Sequence, residues 1–250
     1  MTDIHSHTLW GLDDGSEDFV TSLEMCRIAA ENGTEALFLT PHIVYWENAE
    51  DLYDLREEKT EKLEELLEEE GIQLKLVKGF EVLCDDDIFA IKYFKPYTLG
   101  GTRYILIEFD FEKTVKEDVE AWCGYLMSFD LVPVIAHPER YRFVQENINV
   151  LESLSEKGAL FQVNSGSLTG LFGEEECNIS LKMLKCGYVD FIASDAHDTL
   201  YRNTNISEHI QEISNSDFKE LFYIATEKNP KAVMNDEVIV VKRNAPLSEV

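Results

Sequence analysis

The stretch Arg103 to Asp110, RYILIEFD, decides the fold. A strand with one wet face alternates apolar and polar residues. Tyr104 to Ile107 do not alternate, so the strand is expected to be buried on both faces, as strands of a helix-covered parallel sheet are. Glu108 then interrupts the run, and a carboxylate in a buried strand needs a partner or a metal. LVPVIAHP (131–138) follows the same plan: an apolar run, then His137 at its end.

Working outward, five further runs read as strands: TDIHSH (2–7), EALFLTPH (35–42), IQLKLVKGFEV (72–82), ALFQVNS (159–165) and YVDFIASD (188–195). Helical patterns separate them. Ser16 is placed to cap a helix carrying Phe19, Leu23, Cys26 and Ala30, with Gly33 ending it. Residues 49–71 form a long, highly charged helix, 117–129 a third, and about 146–157 a fourth. Two helical stretches, the second containing NPKAVM, close the chain. Seven strand–helix alternations without a linker or repeat imply an α/β fold closed into one barrel, a single domain over 1–250.

Composition narrows the function. The 250 residues carry 49 acids against 22 bases, a net charge of −27, which opposes nucleic-acid binding. Five scattered cysteines without a CxxC pair imply reduced thiols and a cytoplasmic setting. No leader precedes Asp3 and no apolar run suffices for membrane insertion.

Six histidines are present: His5, His7, His42, His137, His197 and His209. The first five fall at strand ends or just beyond, as do Glu81, Glu108 and Asp195. In a barrel of parallel strands these C-terminal ends gather on one rim, where active sites form. Each motif alone has an ordinary reading. His5-x-His7 puts both rings on one face of a strand but fits a polar surface equally well. His42 after Pro41 can be merely solvated, Glu81 can be one surface acid among many, and His209 reads as surface. Together they favour a site for divalent metals such as Mn, Fe or Zn, and eight to nine ligands imply two or three ions.

In order along the chain, DIHSH with DDG (3–7, 13–15), TPH (40–42), GFEV (79–82), IEF (107–109), AHPERY (136–141) and ASDAH (193–197) with Arg202 resemble the polymerase and histidinol phosphatase (PHP) superfamily. Within it they are most similar to the metal-dependent bacterial protein-tyrosine phosphatases associated with capsule and exopolysaccharide synthesis. The resemblance implies a distorted (β/α)7 barrel with the active site at the C-terminal rim of the strands. It also implies a first metal on His5, His7, Glu81 and Asp195. Glu81 would bridge to a second, held by Glu108 and His137, and a third would take Asp14, His42 and His197. Asp13 stands beside Asp14, and either can be that ligand. Manganese is the expected ion, with Fe, Zn or Mg as alternatives.

Arg140 and Arg202, two of only seven arginines, directly follow metal motifs and suit bidentate phosphate binding, whereas Arg142 fits a surface ion pair. The expected chemistry is attack of metal-bound hydroxide on a phosphate monoester, with the arginines on the non-bridging oxygens. A phenolic leaving group, with a pKa of about 10, needs little protonation. The resemblance implies a phosphotyrosine-bearing protein as partner, a bacterial tyrosine kinase through its tail. Rival readings are a phosphatase for histidinol phosphate or another small phosphoester, and a non-catalytic, metal-stabilised regulatory domain. A thiol phosphatase would need Cys-x5-Arg, a spacing that none of the five cysteines has. An amidohydrolase would carry a bridging lysine where Glu81 stands.

Overall fold

The computed structural model describes residues 1–213 and 218–249; residues 214–217 and 250 of the expected 1–250 domain lie outside the described residues. Its strands are β1 (Thr2–Asp3), β2 (Ala36–Leu39), β3 (His42–Ile43), β4 (Lys75–Lys78), β5 (Glu81–Leu83), β6 (Tyr104–Glu108), β7 (Val132–Ala136), β8 (Leu160–Asn164) and β9 (Phe191–Ala193). All pair in parallel, in a three-stranded sheet ordered β1-β2-β4 and a six-stranded sheet ordered β3-β5-β6-β7-β8-β9. Between and after them run α1 (Phe19–Glu31), α2 (Ala49–Glu70), α3 (Lys116–Met127), α4 (Arg142–Glu146), α5 (Val150–Glu156), α6 (Glu174–Cys186), α7 (Ile206–Ile213), α8 (Lys219–Tyr223) and α9 (Asn229–Met234). This is an α/β fold of parallel sheets and covering helices. No helix among the described residues is long and apolar enough to cross a membrane.

The strands expected at 35–42 and 72–82 are each broken in two. Pro41, which lacks an N–H to donate to a ladder, interrupts the first. Gly79 marks the break in the second, where a Cβ would lie 2.9 Å from Leu99 Cδ2. Register survives the break: Leu39 faces Lys78 before it and His42 faces Glu81 after it, both pairs 39 residues apart. The break therefore shifts His42 and Glu81 into the second sheet while keeping them side by side. At the other border Ser6 bridges Ala196 in parallel, with His7 N–H donating to Ala196 O at 2.8 Å. The first segment of the chain is thus bonded to its last strand.

β6 is buried throughout, as its lack of alternation predicts. Ile105 and Ile107 join a large cluster with Ile135, Phe161 and Ile192, while Tyr104 and Leu106 join another with Ile4, Phe38, Val134 and Phe191. Both faces of the strand are covered by apolar neighbours.

Some boundaries differ from expectation. The cap of α1 is Asp18, whose Oδ1 accepts from Thr21 N at 2.8 Å; Ser16 instead donates its hydroxyl to Asp18 O. The fourth expected helix starts later, at Val150, and is preceded by the short α4. Helix α6 has no counterpart in the sequence reading, because its N-cap is Gly173 and carries no side chain to mark it. His209 is half-buried, with Nδ1 2.8 Å from Thr169 Oγ1.

Arg243 ties the C-terminal segment to the sheet. Its guanidinium donates to both carboxylate oxygens of Asp190 at 2.9 and 3.1 Å and to Gly187 O at 2.7 Å. Asp190 Oδ2 also accepts from Phe161 N. Burial pushes the Asp190 carboxyl up and Arg243 opposes that shift. Replacing Arg243 by Ala strands a buried carboxylate, so Arg243→Ala should cost about 3–5 kcal/mol in urea unfolding, and much less in an Asp190→Asn background.

Candidate metal centre

The residues that the sequence scatters over nearly two hundred positions meet in one place, His42 and Glu81 on the first residues of β3 and β5 and the others at or just past the ends of β1, β6, β7 and β9. His5 and His7 follow β1, and their Nε2 atoms lie 3.1 Å apart. Glu81 Oε2, from the start of β5, stands 3.0 Å from His5 Nε2 and 3.2 Å from His7 Nε2. Asp195 Oδ1, just past β9, stands 3.5 and 3.4 Å from the same two nitrogens. All four side chains are buried.

These four atoms turn their electron pairs on one point. His5 Nδ1 lies 2.7 Å from Gln162 Oε1, which can only accept, so the proton of a neutral His5 sits on Nδ1 and Nε2 is a bare lone pair. His7 is held the same way by Asp13 Oδ2 at 2.7 Å. Lone pairs and carboxylate oxygens at such separations repel unless a cation lies among them. The spacing is that of ligand atoms set about 2.0–2.2 Å from a common ion. The donor set fits a divalent metal.

Glu81 is shared. Its Oε1 is 2.9 Å from His137 Nε2, and its Oε2 is also 3.2 Å from His42 Nδ1. His42 Nδ1 is 2.8 Å from Glu108 Oε1 yet out of line for a hydrogen bond, a second place where a cation fits better than a proton. His42, Glu81 and Glu108 thus form one compact group. His137 Nε2 is 4.0 Å from Glu108 Oε2, so it sits closer to Glu81 than to Glu108. A further group joins His7, His42, His197 and Asp14, with Asp14 Oδ1 3.5 Å from both His42 Nε2 and His197 Nε2.

The DDG turn gives its two carboxylates different places. Asp13 points inward: Oδ1 accepts from Gly15 N at 2.9 Å, closing the turn, and Oδ2 accepts from His42 N at 3.1 Å besides facing His7. Asp14, on the outer side, reaches the cleft. Gly15 packs so tightly that a Cβ would lie 2.3 Å from His7 O. His137 (φ 34°) and Asp195 (φ 51°) occupy left-handed backbone, which costs a non-glycine residue about 1–3 kcal/mol and concentrates at functional sites.

Asp195 divides its oxygens. Oδ1 faces the histidines, while Oδ2 takes Arg202 Nη2 at 2.7 Å, Asn164 Nδ2 at 2.7 Å and Arg140 Nη1 at 3.5 Å. The guanidinium of Arg140 lies over the rings of Phe111 and Phe172, at 4.5 and 5.0 Å from their centroids. Arg202 is presented by a turn in which Asp198 Oδ1 accepts from Leu200 N and Tyr201 N, and its buried Nε has no partner. Both arginines line a cleft of about 90 Å³ with Asp14, His42, Glu108 and His197. Arg142 faces outward and pairs with Glu112 and Glu146.

Electrostatics follow from crowding. Burial opposes charge on His7, but Asp13, Asp195 and Glu81 outweigh it and hold the imidazole well above its usual range. Despite burial and the neighbouring His7, His42 is raised to about 10 by Glu81, Asp14 and Glu108. Burial and His7 depress His197 to about 3. Glu81 and Asp195, although buried, are held well below the carboxylate range by the facing histidines, His5 foremost. Burial pushes the Cys26 and Cys123 thiols up to about 12, so neither offers a thiolate.

Three supports lie outside the motifs' ligand pattern. Asp13, a candidate ligand by sequence, instead orients His7 and closes the turn. Glu139, buried beside His137, accepts from Asn164 N and Ser167 Oγ and so ties the ends of β7 and β8 together. Gln162 Nε2 donates to Asn164 Oδ1 at 2.9 Å, completing an amide chain from His5 Nδ1 to Asp195 Oδ2. Its signal was available: ALFQVNS carries two amides two residues apart, on one face of a strand otherwise buried and apolar.

Residues 1–235 match the family model described as Capsular polysaccharide synthesis, CpsB/CapC. The chain is 35% identical over 240 residues to tyrosine-protein phosphatase YwqE of Bacillus subtilis (strain 168), covering 96% of this chain and 93% of that one. It is 30% identical over 243 residues to putative tyrosine-protein phosphatase CapC of Staphylococcus aureus, covering 96% and 93%. Among solved structures it superposes with a TM-score of 0.83 at 32% identity, covering 97% of both chains, on a structure from work describing YwqE of B. subtilis and CpsB of Streptococcus pneumoniae as unique metal-dependent tyrosine phosphatases.

Two outcomes test the centre by titration calorimetry with manganese. Because His42 is raised to about 10 without metal, it carries a proton at pH 7 that the ion must expel. Binding should release protons, seen by comparing buffers of different ionisation enthalpy, and should tighten as pH rises from 6 to 8. Gln162→Leu frees the His5 ring and should weaken affinity by about 10–100-fold.

Proposed function

This chain belongs to the CpsB/CapC capsular polysaccharide synthesis family, and from that premise we propose that it is a metal-dependent protein-tyrosine phosphatase, a phosphoric monoester hydrolase. The observation that carries the reading is one cleft lined by His42, Glu81, Glu108, His137, Asp195 and His197 together with Arg140 and Arg202. A phosphate monoester needs cations on its oxygens and a nucleophile beside it; this cleft places both requirements together.

In this reading His5, His7, Glu81 and Asp195 would hold one ion, Glu81 would also serve a second with Glu108 and His137, and Asp14, His42 and His197 would hold a third. The closeness of His42 to Glu108 supports its reaching the second ion as well. We take two to three divalent ions, manganese foremost. When bound, such ions supply an acidified water and positive charge for the phosphoryl oxygens. The chain's own residues do the rest. Asp13 and Gln162 hold the His7 and His5 rings with their lone pairs inward. The free Nε–H of Arg202 and the outer donors of Arg140 bind the non-bridging oxygens, and Phe111 and Phe172 keep the Arg140 fork from swinging away. Tyrosine as leaving group needs no dedicated acid, because its phenol ionises near pH 10.

We read the fold as a distorted (β/α)7 barrel forming one domain over 1–250, supported by the Ser6–Ala196 bridge and the common register across the strand breaks. The proposed partner is a phosphorylated bacterial tyrosine kinase, met in the cytoplasm through its tail; the relatives' names support a phosphotyrosine substrate, and five scattered cysteines without a CxxC pair support the setting.

The test is hydrolysis of a phosphotyrosine peptide with added manganese. Turnover that EDTA abolishes is expected, and Arg202→Ala should lower kcat by about 10²–10³. Turnover on histidinol phosphate but not on the peptide would replace this reading by the small-phosphoester one. No turnover on either would make the chain a regulatory domain.

A further inference from the structure

The phosphate cleft, about 90 Å³, is lined by ionisable side chains with Phe111 as the apolar exception. A phosphoryl group suits that lining, and a phenyl ring with a peptide behind it does not. The body of the substrate must rest elsewhere, against a surface continuous with the cleft.

A groove of about 520 Å³ adjoins it. Asp14, His42 and Glu108 line both spaces, whereas Arg140 and Arg202 line the cleft alone. A phosphate gripped by the arginines would therefore have its ester oxygen directed toward the shared wall. Beyond that wall the groove turns apolar, with Leu12, Val44, Tyr45 and Leu52 along it and Asn48 among them. Tyr45 is 64% exposed and Val44 41% exposed, while Leu12 and Leu52 each pack one side against the core. The floor is fixed and the rim is free, as a ring-binding slot requires. Asn48 offers both a donor and an acceptor to a peptide backbone.

We propose that this groove is the subsite for the tyrosine ring and adjoining residues of the phosphorylated segment, with Tyr45 and Val44 as its specificity-determining contacts. The proposal rests on the phosphatase reading above and assigns the orientation of its substrate. The chain's net charge of −27 disfavours an acidic residue next to the phosphotyrosine, and the apolar stretch favours an aliphatic or aromatic one. These contacts persist from bound substrate to transition state, so they act on KM.

The experiment compares Tyr45→Ala and Val44→Ser with the parent enzyme, each with manganese. Substrates are a phosphotyrosine peptide with flanking leucines and the same peptide with flanking glutamates, and inorganic phosphate serves as competitive inhibitor. Tyr45→Ala should raise KM for the leucine peptide about ten-fold, with the loss in KM rather than kcat, and should narrow the preference between the peptides. The inhibition constant of inorganic phosphate, which reads the cleft alone, should stay unchanged. Leu200 and Tyr201 provide the competing surface: they are exposed and directly precede Arg202 in the chain, and neither lines the groove. A KM change on Tyr201→Ala with none on Tyr45→Ala or Val44→Ser would overturn the proposal, as would an equal shift in the phosphate constant. Lack of turnover by the parent enzyme would instead remove the phosphatase reading itself.

Discussion

Everything at the site depends on burying Glu81. A carboxylate with no exposure to water survives only if both oxygens are compensated. Here Oε2 faces His5, His7 and His42, and Oε1 faces His137. Four histidines from three separate segments are committed to one side chain. Moving any of those segments would strand a charge in the interior, so the geometry of the rim is set by electrostatic necessity as much as by apolar packing.

That constraint explains how the strands are arranged. Glu81 opens β5 immediately after the Gly79 break and lies beside His42, which follows the Pro41 break. An unbroken pair of strands would have carried both residues on in the plane of the first sheet. Proline on one strand and glycine on the other let the pair bend together without losing register. At the site, strain falls on His137 and Asp195, whose left-handed backbone re-aims side chains after their strands have ended.

Much of this was legible in the sequence. The unalternating run Tyr104–Ile107 announced a strand covered on both faces, and it has apolar clusters on both. The histidines at strand ends announced a shared rim, and the structure brings His5, His7, His42, His137 and His197 together there. What the sequence could not supply was division of labour within short motifs. Asp13 and Asp14 are chemically identical in a sequence, and only the turn closed by Gly15 sends one inward to His7 and the other outward to the cleft. Gln162 and Asn164 stand out as two amides on one face of an apolar strand, but their meaning comes from His5 and Asp195, which are far away in sequence. The breaks at Pro41 and Gly79 escaped for a related reason, since an apolar run reads the same whether its strand is straight or bent.

The bridge between Ser6 and Ala196 has a consequence for how the molecule is made. One side of the segment carrying His5 and His7 pairs with nearby β2, yet the Ala196 that bridges its other side and the Asp195 that faces the histidines lie some 190 residues further on. Contacts so distant along a chain form slowly and late. That second side must therefore wait until most of the domain has been synthesised. An ion seated among His5, His7 and Asp195 would act as a clasp between the two ends of the chain, and removing it would loosen both at once.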